Sequence, residues 1–347
     1  MIQTLQSLRF VFIMLIVFSH IIGKRFDYGG ECGVSFFFML SGFVLSLAYG
    51  TKVANGTFRT RPFLFRQLLK FYPLHLLMLV AFVVFDAHLG KFYDWQHLLP
   101  SIFLLQSWIP LDEYYFVANG SSWFLCDILF FYLVFSCSFR LLNRLSVLRL
   151  AIFGMVLLLL YIILAYSIPL WTVNSILYAS PLTRLADFGI GILLCRMYRS
   201  EACAVIGRRM ESSSDAIKTV CEMLLVVWMV MSFFAYESMS LRLRCAALFW
   251  LFIPPVILYF SVSDRCGGVL TRQLRHPVLL WLGGISLEIY LMHMLVLRGV
   301  NSMLLSAGVS RALVIIVIGL AVMVPVAWLT KRFFVDKIYV SLIKHVE

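Results

Sequence analysis

Apolar runs recur along the whole chain, each close to the length that crosses a lipid bilayer. A spanning helix needs about 20 largely apolar residues. Ten segments meet that requirement: 5–23, 33–50, 66–88, 122–140, 147–167, 178–197, 217–236, 243–262, 278–297 and 309–330. With no water in the bilayer core, a lone segment satisfies its backbone polar groups only as a helix. The expected fold is therefore all-α, a polytopic bundle of about ten transmembrane helices forming one domain over 1–347. Composition closes the soluble alternatives. The chain is 62% hydrophobic and only 13% charged, whereas covering a soluble surface usually takes about 25%. The same figures exclude collagen, disorder, coiled coils and disulfide scaffolds. The sixth run is the weakest, because Arg184 and Asp187 interrupt it.

Charge bookkeeping sets the expected orientation. Cytoplasmic loops collect Lys and Arg. With the N-terminus inside, Lys and Arg favour the cytoplasmic side about three to one, Lys344 counting inside and Arg311 outside. Both termini are expected in the cytoplasm, and the net charge of +12 reads as this loop bias, not as nucleic-acid binding. The eight cysteines show no ligand spacing, and Cys126, Cys137 and Cys245 lie in apolar runs as small core residues. No His, Cys and carboxylate triplet has metal-ligand spacing, so no metal is expected. No cleavable signal is apparent: the first run follows Arg9 and ends at His20 without a small-residue cleavage site. The longest outer loop contains LLPSIFLLQSWIP (98–110), too short to span, which reads as a re-entrant or interfacial helix anchored by Trp95 and Trp108.

Ionisable groups at membrane depth are costly and are functional candidates by default. Arg9 and His20 are eleven residues apart. That spacing returns to nearly the same helix face with about 16 Å of rise, so one stripe carries a cation near one surface and an imidazole near the other. The bland alternative is a snorkelling arginine and a histidine satisfied by a carbonyl. Ser41 and Gly42 are small residues in the second run, which is expected to pack on the first. Arg66 and Lys70, four apart, suit either phosphate binding or anchorage in anionic headgroups. Arg184 and Asp187 can pair with each other. Ser286 and His293 share a face, with Glu288 roughly opposite Ser286 and neutralised by Arg184 or Arg9. His75 and Tyr72 suit either a donor path or packing at the lipid interface.

These residues fall in an order that resembles the acyltransferase-3 family of bacterial integral-membrane O-acyltransferases. The resemblance rests on Arg9-x10-His20, GVSFFFMLSGF (33–43), Arg66, Lys70 and Pro73, LLQSW (104–108), SSWFL (121–125), RLADFGIGIL (184–193) and GGISLEIYLMH (283–293). It implies transfer of an acetyl group from cytoplasmic acetyl-CoA to a hydroxyl of a surface glycan, such as an O-antigen, exopolysaccharide or lipid-linked oligosaccharide. It places the chain in the bacterial inner membrane, among membrane lipids. Two departures stand out. Lys70 occupies a position where many relatives have Arg, which keeps the charge but loses the bidentate fork. Ile128 stands where many have Glu, with Asp127 one residue earlier and facing elsewhere. No esterase-like domain is expected, since the chain stops shortly after the tenth run.

The chemistry follows from the side chains. Histidine titrates near neutrality, so His20 is the expected general base toward a sugar hydroxyl, or alternatively a covalent acyl relay. Arg9, Arg66 and Lys70 are expected to hold the donor's phosphates. Trp95, Trp108 and Trp123 are candidates for stacking on sugar faces, an aromatic belt being the bland alternative. The competing reading is a proton-coupled secondary transporter of a glycan or lipid-linked intermediate, with buried His, Glu and Asp as a relay.

Overall fold

In the computed structural model, which describes residues 2–308 and 312–343, the chain is helical and, among those residues, contains no strand. Three long helices come first: α1 (Gln3–Ile22), α2 (Asp27–Ala54) and α3 (Thr60–His88). The loop after α3 carries two short ones, α4 (Trp95–Ile102) and α5 (Asp112–Tyr115). Next come α6 (Trp123–Arg144) and α7 (Val147–Ser167), separated at Ser146, whose hydroxyl caps α7 by accepting the Arg149 N–H at 3.4 Å. The chain continues through α8 (Pro181–Tyr198), α9 (Glu201–Ser212) and α10 (Asp215–Ser238). After α11 (Leu241–Arg244) and α12 (Phe249–Val262), α13 (Val269–Leu274) is capped from a distance. The buried Glu222 carboxylate accepts the N–H groups of Gly268, Leu270 and Thr271 there. Last are α14 (Pro277–Gly284), α15 (Ser286–Ser306), α16 (Ala312–Thr330) and α17 (Asp336–Ile343).

Among the described residues, nine helices are long and apolar enough to cross a membrane, and ten if a pair bent by 44°, Leu170–Tyr178 with Pro181–Tyr198, counts as one span. The bend falls in the run that the sequence marks as weakest. Its cause is local: Pro181 disfavours helical geometry at the preceding residue, and Ser180 is extended at φ −83°, ψ 130°. The run expected over 278–297 is likewise divided, α14 ending at Gly284 and the spanning helix beginning only at Ser286. Residues 309–311 at the start of the tenth run, with Arg311, and the charge counted at Lys344 lie outside the described residues. Around α7 only Tyr161 and Ala165 are buried. A helix with so much apolar surface is stable facing lipid and would aggregate facing water.

Two helices form the centre of the bundle through backbone approach. A Cβ at Gly42 would run into the Phe188 carbonyl of α8, and one at Gly191 into the Met39 carbonyl of α2. The small residue in mid-α2 therefore serves packing against α8, not against α1 as the sequence suggests. Contact with α1 is made earlier in α2, where Gly33 lies against Ile16 and the Phe12 carbonyl. Ser41 is released from packing and turns toward an internal cavity.

Candidate functional site

A cavity of about 450 Å³ opens inside the bundle, with walls from α1, α2, α3, α6 and α15. At the N-terminal end of α1 it is lined by Gln6 and Arg9, joined by Gln67 and Lys70 of α3 and by Tyr49 of α2. Midway it meets Ser41, Ile128, Tyr132 and Ser286. At the far end stand Phe37, Phe124 and Tyr290. These three rings line one side as an aromatic collar segment: Phe37 lies 6.3 Å from Phe124, and Phe124 lies 5.1 Å from Tyr290. The cavity thus has cations among its lining at the end near Arg9 and Lys70, mostly apolar walls, and aromatic side chains near Tyr290.

One helical turn beyond the collar is a pair of histidines. The rings of His20 on α1 and His293 on α15 are 4.9 Å apart, and His293 Nε2 lies 3.3 Å from His20 Nδ1. His20 Nδ1 is also 2.8 Å from the Ile16 carbonyl, and His293 Nδ1 is 2.6 Å from the Tyr290 carbonyl. His293 is fully buried, whereas His20 is exposed at the end of its helix. The turn carrying Tyr290 is held from two sides. Tyr290 donates its hydroxyl hydrogen to the Ser121 carbonyl at 2.8 Å, and Asn119 Nδ2 donates to the Leu291 carbonyl at 3.0 Å.

The expected residues separate into three groups. Arg9, Lys70, Ser41 and Ser286 line the cavity together, and Arg66 sits one turn along α3 from Lys70, half-buried. His20 and His293 form the pair beyond the collar. The others lie elsewhere. Arg184 and Asp187 are buried and pair at 3.5 Å, with Arg184 also donating to Ser35 Oγ and the Cys245 carbonyl. Trp123 is buried among Phe38, Phe124 and Tyr178, which makes it a packing residue and not an open face for a sugar. Glu288 is neutralised by Lys331, at 3.4 Å, and not by Arg184; Arg9 lies within Coulombic reach of the same carboxylate.

Ile128 faces the cavity while Asp127 is buried outside its lining. The position where relatives carry Glu is therefore apolar in this cavity. Neither His75 nor Tyr72 is among the residues lining this cavity: His75 Nε2 lies 2.8 Å from the Ser101 carbonyl and Tyr72 donates to the Ile102 carbonyl at 3.0 Å, tying α4 to α3. Among the described residues, no group of three His, Cys, Asp or Glu side chains is placed to hold a metal. Sequence reasoning missed Tyr290, although its spacing from Ser286 and His293 puts all three on one helical face. It also missed the collar phenylalanines, which look like ordinary apolar residues in a run.

The family model described as an acyltransferase domain, acyltransferase-3, matches residues 2–332, nearly the whole chain. The chain belongs to the acyltransferase-3 family. It is similar to "Acyltransferase MdmB" of Streptomyces mycarofaciens, 27% identical over 286 residues, which cover 78% of this chain and 68% of the relative. No solved structure matches. Membership in this family makes the chain an acyl-transferring, multi-pass membrane enzyme and decides against the transporter reading.

Proposed function

We propose that the chain transfers an acetyl group from acetyl-CoA to a hydroxyl of a surface glycan or lipid-linked sugar across the bacterial inner membrane. The observation that carries this reading is the cavity itself. It begins at Arg9 and Lys70 and rises to a collar one turn short of the His20–His293 pair. Arg9, Lys70 and neighbouring Arg66 would hold the donor's phosphates on the cytoplasmic side. The apolar midsection suits the donor's extended arm, and Ser41 and Ser286 supply hydroxyls for its amides.

His20 Nε2 then acts as general base. It takes the hydroxyl proton as the sugar oxygen attacks the thioester carbonyl, the carbon–sulfur bond breaks, and the proton passes to the departing thiolate. Such a base contributes about 10²–10⁴-fold. The exposed end of α1 leaves His20 open to an acceptor from the far side, and Trp95 and Trp108, both exposed, lie on the loop flanking that side. The test is release of free thiol from acetyl-CoA by the purified protein supplied with a glycan extract. Thiol release that depends on both protein and extract supports the reading, and its absence with folded protein, acetyl-CoA and extract all present overturns it.

A further inference from the structure

The histidine pair carries more information than the presence of a base. A carbonyl oxygen only accepts hydrogen bonds, so each Nδ1 facing one must carry the hydrogen. His293 Nδ1–H is thereby fixed on the Tyr290 carbonyl, at 2.6 Å, and its Nε2 is a lone pair. That lone pair faces His20 Nδ1 at 3.3 Å, and His20 Nδ1 also faces the Ile16 carbonyl at 2.8 Å. Two acceptors converge on one nitrogen. The arrangement holds the hydrogen of His20 on Nδ1 and leaves Nε2 as the basic atom.

We infer that His293 is a positioning residue: with the Ile16 carbonyl already holding the hydrogen on His20 Nδ1, its Nε2 is the second acceptor of that N–H and holds the imidazole in the orientation in which His20 Nε2 receives the substrate proton. The inference rests on the proposed transferase reading and deepens it. Base, orienting partner and fixed tautomer follow the logic of other activated bases, in which a third group orients the base. Here the third group is a neutral imidazole in place of a carboxylate. When Nε2 of His20 takes the hydroxyl proton, the Nδ1–H already lies between two acceptors, so the imidazolium forms without rearrangement.

His293 is itself held tightly. It is fully buried, and its turn of α15 is pinned by the Tyr290 and Asn119 hydrogen bonds to the segment before α6. That segment includes Ala118, a non-glycine residue at φ +50°, a conformation stable only where the surroundings impose it. The outer loop is therefore anchored on the turn that carries the accepting imidazole.

Three variants test this in the thiol-release assay with acetyl-CoA as the probe. His293→Phe keeps an aromatic ring, slightly larger, and removes the acceptor; in folded protein kcat should fall roughly 10- to 100-fold with donor KM unchanged. His293→Gln places a carbonyl oxygen where Nε2 lies and should retain kcat within about fivefold of wild type. The His20→Ala/His293→Phe double variant should be no slower than His20→Ala alone, because the second residue acts through the first. Equal loss in the Phe and Gln variants, or a double variant slower than His20→Ala, would overturn the inference. So would a folded Phe variant with wild-type kcat. Absence of thiol release in the wild type would instead count against the transferase reading.

Discussion

Replacing Lys331 with Met should weaken donor binding from outside the cavity. Lys331 Nζ sits 3.4 Å from Glu288 Oε1; the carboxylate is 2% exposed and the lysine 34%. At an effective dielectric near 20, a pair at that distance attracts by about 5 kcal/mol. Because the lysine is one-third exposed, solvent screens the pair and its own desolvation is already incurred in the wild type, so the net loss is about 2 kcal/mol. Lys331→Met leaves the Glu288 carboxylate buried with Arg9 as its remaining cation, drawing Arg9 out of the cavity. The melting temperature in detergent should fall by roughly 4 °C, and the KM for acetyl-CoA should rise about threefold to tenfold, the equivalent of ~0.7–1.4 kcal/mol. The Lys331→Met/Glu288→Gln double variant removes the orphaned charge and should recover most of both losses. Thermal shift and steady-state kinetics on the three proteins decide it. A Lys331→Met protein with unchanged KM and melting temperature, or a double variant no better than the single, would refute the argument.

Other expectations follow from the same geometry. Lys70→Arg keeps a cation in the cavity wall and should leave the donor KM within about twofold, while Lys70→Ala should raise it about fivefold or more in the same kinetic assay. Gly42→Val would drive a branched side chain into the Phe188 carbonyl and should cost about 3 kcal/mol or more, seen as loss of the monodisperse peak in size-exclusion chromatography. Exchange of residues 89–121 for those of a relative with different specificity should change which sugar is modified, read by NMR of the products, while thiol release still depends on His20.

The helical bundle was legible in the sequence because the bilayer imposes length and apolarity together, and α1, α3, α7 and α10 follow their runs closely. Breaks were harder to read. Ser180 precedes a proline, which is a visible signal, but the stop at Ile285 arises where Gly283 lets α14 approach the backbone of α1 at Gln6. That is a tertiary contact with no local signature. The stripe from Arg9 to His20 could be read from helical spacing alone, and so could the shared face of Ser286 and His293. Their meeting could not, because it depends on how α1 and α15 are packed. Glu288 shows the same limit: a buried carboxylate predicts a cation, yet the chain offered Arg184 and Arg9 before a lysine some forty residues later, placed beside it by the return of α16.

The central claim is that acyl groups pass from the cavity to the level of His20 and on to a glycan on the far side of the membrane. Mass spectrometry of surface glycans tests it most directly, comparing cells that carry the wild type, cells that carry His20→Ala at equal membrane abundance, and cells without the protein. An acetyl ester is expected in the first population and its loss in the other two, the variant falling by about a hundredfold or more. Normal acetylation in the His20→Ala cells would contradict it.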